Sequence, residues 1–240
     1  MSILAVIPAR YSSSRFPGKP LADINGKSMI QRVYEQALKS TRLDRVIIAT
    51  DDKRIFKHAK KFGAEVMMTS ENHRNGTERI AEVVQNIEEN YDSVLNIQGD
   101  EPFVKIEQID LLCDIISKKD NDIASLAKKL EDTDEVKSPN TVKVVMSKSN
   151  KALYFSRFAI PYQRNLATGV IRYKHIGMYA FKKLILEELI NLPESSLEVA
   201  ESLEQLRWLE SGYSIEMGIT NFESIGIDTP EDLEKAIKQL

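Results

Sequence analysis

Between Ile7 and Leu21 the chain reads IPARYSSSRFPGKPL. Arg10, Arg15 and Lys19 place three cations in that stretch, Ser12, Ser13 and Ser14 three adjacent hydroxyls, and no acid follows until Asp23. The whole chain carries a formal net charge of -3, so the positive charge here is local. Cations with hydroxyl and main-chain donors suit a phosphate-rich anion. Gly18 permits close backbone approach, and Pro17 and Pro20 stiffen the bend. A solvated surface loop has the same composition. A second cluster, NIQGDEP (96–102), sets Asp100 and Glu101 at the end of a strand-like run. Hard carboxylate oxygens there suit Mg2+ bound jointly with substrate phosphates. The same residues also make an ordinary turn. A cationic loop and a carboxylate together are what triphosphate chemistry requires.

Other phosphate and catalytic motifs are absent. A Walker A loop needs glycine five residues before its Gly-Lys pair. Ser13 holds that place before Gly18-Lys19 and Leu21 before Gly26-Lys27. No G-x-G-x-x-G occurs, which argues against a dinucleotide oxidoreductase. The three histidines show no zinc spacing, and His58 and His73 read as surface residues. Cys113 is the one cysteine; it excludes an intramolecular disulfide, fits a reducing cytosol and reads as a core thiol in IDLLCDII.

The elements that would position these residues alternate. Strand-like runs at 3–7, 45–50, 65–69, 93–98 and 122–127 are separated by helix-like runs at 28–40, 53–63, 76–87 and 106–119. Met29, Val33, Tyr34, Ala37 and Leu38 share one face of the first helix. Pro8 should end the first strand. Asn75, Gly76, Thr77 and Glu78 form a helix start. This order predicts an α/β fold: one domain with a mostly parallel sheet flanked by helices, ligands lying at the carboxyl ends of its strands. From about 128 to 183 strands follow one another without long helices, which predicts a smaller β-rich extension. A single helix is expected over 197–212 and a strand over 214–220. Thr229 and Pro230 should open a last helix.

Composition is that of an ordinary globular protein with a real core: 240 residues, 42% hydrophobic and 29% charged. Mild acidity argues against nucleic-acid binding. No apolar run approaches the roughly eighteen residues of a membrane span, and five apolar residues before Pro8 with no basic lead do not make a secretory leader.

Taken together, IPARYSSSRFPGKPL, ATD (49–51), NGTER (75–79), NIQGDEP, PNTVKVV (139–145), ALYFSR (152–157) with IP (160–161), HIGMY (175–179), LEQLR (203–207) and GIDTPEDL (226–233) resemble, in order and over essentially the whole chain, the 3-deoxy-manno-octulosonate (Kdo) cytidylyltransferases. The resemblance implies a nucleotidyltransferase that joins CTP to the anomeric hydroxyl of Kdo, giving CMP-Kdo and pyrophosphate for the lipopolysaccharide core. It implies catalytic roles for Arg10, Arg15, Lys19 and Asp100. Arg10, Ser12, Ser13, Ser14, Arg15, Lys19, Asn75, Gly76, Arg79 and Gln98 would bind the nucleotide. Gln98, Arg157, His175, Tyr179, Glu204 and Gln205 would bind the sugar, with Arg157 on its carboxylate. Asp100 and Asp228 would hold Mg2+. Arg79 could instead pair with a carboxylate, and His175 could serve packing. The resemblance further implies a cytoplasmic homodimer using the 128–183 extension. GMYAFKK (177–183) departs from the family's GIYGYR-like run, and Asn75 stands where serine is common. Both keep the 8-amino variant of Kdo open as acceptor. Another 2-keto acid sugar as acceptor, a sugar-1-phosphate or sialic-acid type nucleotidyltransferase, and a non-catalytic nucleotide-binding protein are the other readings.

Overall fold

The computed structural model describes residues 1–13, 15–165, 169–223 and 226–238. The chain divides into two compact units, one of residues 1–113 and 224–240, the other of residues 114–223.

In the first unit, β1 (Ile3–Ala9), β4 (Arg45–Thr50), β5 (Val66–Met68) and β6 (Ser93–Asn96) form a parallel sheet in the order β6-β1-β4-β5. Ile3 to Ile7 are all buried, as a central strand covered on both faces requires. A short hairpin, β2 (Asp23–Ile24) and β3 (Lys27–Ser28), leads into α1 (Met29–Ala37). The crossovers are α1, α2 (Lys53–Lys61) and α3 (Gly76–Asn86), and α4 (Ile106–Ile116) follows β6. The second unit contains β7 (Ile123–Leu130), α5 (Thr133–Lys137), β8 (Lys143–Met146), β9 (Ala152–Ser156), β10 (Arg172–Lys182), α6 (Lys183–Leu189), α7 (Ser196–Glu201), α8 (Gln205–Glu210) and β11 (Ile215–Ile219). There β7 pairs antiparallel with β10 and parallel with β11, while β8 joins β10 to β9. Finally α9 (Pro230–Ile237) returns to the first unit.

The α/β class and the order of elements agree with the sequence pattern. Several details do not. β1 runs through Pro8 to Ala9, pairing with β4 on one edge all the way. Leu38 is 55% exposed because α1 ends at Ala37. The helix expected over 197–212 is two, α7 and α8. Ser202 breaks it in the left-handed region (φ 51). His58 and His73 are half-buried and engaged: His58 Nε2 lies 2.8 Å from Ser28 Oγ, and His73 Nε2 donates to Glu82. Cys113 is buried, as expected.

Candidate active site

The loop after β1 is closed on itself. Gly18 N donates to Tyr11 O at 2.8 Å, and Phe16 N to Ser13 Oγ at 3.3 Å. Gly18 has φ 75, and a Cβ there would stand 2.9 Å from the Tyr11 ring; the position requires glycine on both counts. A single 3-10 turn from Lys19 to Leu21 follows. Across the sheet, the loop after β6 lies directly on β1: a Cβ on Gly99 would stand 2.6 Å from Pro8 O. That contact sets the depth of the neighbouring Asp100.

The third contributor arrives late in the sequence. Ile227 is buried with Ile24, Met29 and Ala236, and Phe16 and Leu233 pack against them. Ile227 N donates to Asp100 O at 3.0 Å. Thr229 and Asp232 form a capping box at the start of α9, and Asp232 also accepts from Asp228 N at 3.3 Å. Asp228 is thereby fixed beside the first loop.

These three segments meet at one ammonium. Lys19 Nζ donates to Asp100 Oδ2 at 2.5 Å, to Asp228 Oδ1 at 3.0 Å and to Ile227 O at 3.2 Å. Arg15 reaches the other oxygen of Asp228 at 2.9 Å. Burial opposes the charge, but Asp100 and Asp228 outweigh it and hold the Lys19 pKa above the ordinary lysine value.

Arg10 is held differently. Its guanidinium donates to the carbonyls of His73, Arg74 (3.4 Å) and Asn75 (3.2 Å), and it forms no ion pair among the described residues. Burial and the charge of Arg79 lower its pKa, against Asp51 and Glu78. Carbonyls orient a guanidinium without cancelling its charge, and two of its five protons at most need serve each partner. The accepting segment is itself tied back by α3. Glu82 accepts from Ser70 N and His73, and Glu78 from Arg74. Asn75 caps that helix, its side chain accepting from Glu78 N at 2.9 Å. Gly76 abuts Pro8, where a Cβ would stand 3.3 Å from the ring. Gln98 is half-buried and its carbonyl accepts from Glu101 N at 3.3 Å. Ser12 is exposed; Ser14 lies outside the described residues.

Arg79 pairs with a carboxylate, the alternative left open by the sequence. It has no exposed surface, and its guanidinium donates to Asp51 Oδ2 at 2.6 Å and to Thr69 Oγ1. It joins α3 to the residues that follow β4 and β5.

In the second unit the expected sugar residues fall into two groups. His175 and Tyr179 stand on β10 on either side of a register shift between Ile176 and Tyr179, a bulge that re-aims side chains. His175 is flanked by Phe155 and Tyr179, and Tyr179 meets Trp208 edge-on with centroids 5.0 Å apart. Burial pushes His175 down to about 3, so it is neutral at pH 7. The Ser125 hydroxyl donates to Met178 O at 2.8 Å; its 2.9 Å contact with His175 Nε2 must therefore be donated by the histidine. That tautomer leaves Nδ1 an acceptor. Three buried polar atoms around this aromatic group, Tyr179 Oη, Gln205 Nε2 and Trp208 Nε1, have no hydrogen-bond partner among the described residues. Glu204 accepts from Arg207 at 2.9 Å. Arg157 forms the second group. It donates to the carbonyls of Glu201 (2.8 Å), Pro139 (3.0 Å) and Ser202 (3.3 Å). The left-handed Ser202 is what turns the end of α7 toward it.

Comparison with known proteins now bears on this arrangement. Residues 4–219 match the cytidylyltransferase family. A 3-deoxy-manno-octulosonate cytidylyltransferase of Parabacteroides distasonis is 53% identical, covering 99% of this chain and 97% of that protein. The chain belongs to the 3-deoxy-manno-octulosonate cytidylyltransferase family. A family member from Thermodesulfovibrio yellowstonii is 48% identical, covering 100% and 98%. A solved CMP:2-keto-3-deoxy-manno-octonic acid synthetase complexed with CTP aligns with a TM-score of 0.95 at 42% identity, covering 100% of this chain and 98% of that one. A 4-diphosphocytidyl-2C-methyl-D-erythritol synthase from Anaerococcus prevotii shares the fold alone, at 16% identity and a TM-score of 0.66.

Family membership makes a metal expected, and the residues fit one. Two carboxylates, on loops after two different runs of chain, already converge on a single cation. Mg2+ commonly takes one or two carboxylates and completes its shell with water and phosphate. Among the described residues no cluster of three or more potential ligands forms a closed site. Sequence reading did not find Asp51, Thr69, Glu82, Lys143 or Glu201. All are ordinary polar residues; the partners of Asp51 and Glu201 lie 28 to 45 residues away, and those of Thr69, Glu82 and Lys143 are set by turns and strand pairing.

Proposed function

We propose that the chain transfers CMP from CTP to the anomeric hydroxyl of 3-deoxy-D-manno-octulosonate, releasing pyrophosphate. The observation that carries this reading is the junction of Lys19, Asp100 and Asp228 beside an Arg10 whose charge is not cancelled. Arg10, Arg15 and Lys19 would hold the β- and γ-phosphates and stabilise the charge that gathers on the departing pyrophosphate. Ser12, Ser13 and Ser14 would add donors. Gln98, Asn75 and Gly76 would border the nucleotide. Asp100 and Asp228 would hold Mg2+, which supplies charge neutralisation at the phosphates and a lowered pKa for an attacking hydroxyl. Lys19 would then leave the carboxylates for the phosphates. No protein nucleophile is needed, because the sugar hydroxyl attacks in line.

On the sugar side, Arg157 would take the carboxylate. His175 Nδ1 would accept from a hydroxyl, and Tyr179, Glu204 and Gln205 would meet the others. The unpartnered Tyr179 Oη and Gln205 Nε2 support this, since buried polar atoms are nearly always satisfied. A homodimer through the 128–183 extension is supported by exposed Phe158 and Tyr162, 76% and 83% accessible. No helix among the described residues is long and apolar enough to cross a membrane, in keeping with a cytoplasmic step that supplies lipopolysaccharide synthesis.

The test is pyrophosphate release with CTP and Mg2+, offering Kdo, 8-amino-Kdo or N-acetylneuraminate. Release with Kdo, lost with chelator, is expected. Preference for the amino analogue would reassign the acceptor. Silence with every acceptor while CTP still binds would overturn the enzyme reading. Asp100→Ala should cut turnover far more than nucleotide affinity; a binding protein has no turnover to lose.

A further inference from the structure

Lys143 opens β8 with no exposed surface, and its ammonium is bound entirely by main-chain oxygen. It donates to Ser138 O at 2.8 Å, to Thr141 O at 2.5 Å and to Arg157 O. No carboxylate contacts it among the described residues. Burial lowers its pKa, Glu201 acts to raise it and Arg157 lowers it further. An ammonium taken out of water without a counter-ion is costly, and a neutral donor would staple the same carbonyls at smaller cost. The charge itself therefore needs an explanation.

Its neighbour supplies one. Lys143 and Ser156 are cross-strand partners, so Arg157 stands immediately beyond the pair. The two cations interlock: Lys143 holds the Arg157 carbonyl and the 138–141 turn, and Arg157 reaches Pro139 in that turn. Both heads rest on neutral carbonyls. Among the described residues Glu201 is the one carboxylate that contacts this junction, and its oxygens accept from Ser156 Oγ at 2.6 Å and Arg157 N at 2.9 Å, not from either cationic head. Two positive charges face one negative charge.

We propose that Lys143 is a positioning residue for Arg157, and that the two cations together keep an uncancelled positive charge for the carboxylate of an acidic sugar. This rests on the reading that Arg157 receives that carboxylate. Lys143 does not touch the ligand. It fixes the Arg157 backbone and adds field through a medium that screens poorly.

The test compares KM for Kdo and for CTP in Arg157→Gln, Lys143→Met and Glu201→Gln. Lys143→Met should raise KM for Kdo by about tenfold, as loss of a nearby poorly screened charge predicts, and leave KM for CTP within about twofold. In Glu201→Gln the amide oxygen can still accept from Arg157 N while the NH2 donates to Ser156 Oγ, and the opposing charge is removed, so KM for Kdo should fall by roughly threefold. A tighter acceptor is not something a purely structural residue yields. Arg157→Gln with unchanged KM for Kdo would sink the carboxylate reading itself. Arg157→Gln raised, with Glu201→Gln unchanged or weaker, would overturn the role of the charge. Glu201→Gln decides the matter even if Lys143→Met does not fold.

Discussion

The Lys19 ammonium and the Asp100 carboxylate meet at 2.5 Å across 81 residues of sequence. With Asp228 on its other side, Lys19 occupies the position between two carboxylates that a divalent cation would take. Lys19→Met leaves those carboxylates facing each other. The variant in EDTA should lose about 1–3 kcal/mol, the desolvation cost of polar groups left unpaired, and Mg2+ should restore much of it. Thermal melts of variant and parent, each with EDTA and with Mg2+, measure this. Equal Mg2+ shifts in the two proteins would contradict it.

Arg79 and Asp51 form a pair buried beneath the site, at 2.6 Å with Arg79 fully enclosed. Arg79→Met should destabilise by roughly 3–5 kcal/mol, the usual result of stranding one partner of a buried pair. Adding Asp51→Asn should recover part of the loss, because no lone charge then remains. Urea denaturation of the single and double variants reads the coupling.

Gly99→Ala places a methyl against Pro8 O, a main-chain atom that cannot move aside. The expected loss is about 1–3 kcal/mol, as for other overpacked sites. Because Asp100 is the next residue, turnover should fall more than CTP binding. Equilibrium denaturation and single-turnover kinetics on one preparation separate the two effects.

His175 titrates at about 3 in the fold, against an ordinary value of 6.5. Between those values the unfolded chain binds a proton that the native chain does not, so stability rises with pH and is lost as pH falls below about 6.5. The unfolding midpoint of His175→Gln should depend less on pH between about 4 and 6.5, inside the interval between those two values. Identical pH profiles for variant and parent would refute the burial of this imidazole.

The sequence made the cations of the first loop, the carboxylates of NIQGDEP and DTPED, and the helix caps at Asn75 and Thr229 legible, because each depends on a few adjacent residues. It did not reveal what those groups touch. Nothing near Lys19 signals that its carboxylates lie 81 and 209 residues away. NGTER does not distinguish an arginine facing a ligand from one sealed under it. AESLEQ contains neither glycine nor proline, so the break at Ser202 was invisible. The carbonyls freed there accept from Arg157, a tertiary contact that local helix propensity does not report. Lys143 looks like one polar position in a strand, yet it is wholly enclosed.

Asp228 comes from a segment that rejoins the first unit only after all of residues 114–223. On a ribosome, the 209 residues separating Lys19 from Asp228 take roughly ten to forty seconds to emerge. Once Asp100 has emerged, 81 residues after Lys19, β1, β4, β5 and β6 can pair, and until Asp228 follows Lys19 has only Asp100 to hold. The nascent protein thus carries Lys19 with a single carboxylate until Asp228 emerges, and a chain interrupted before that residue would fold a sheet without acquiring the second.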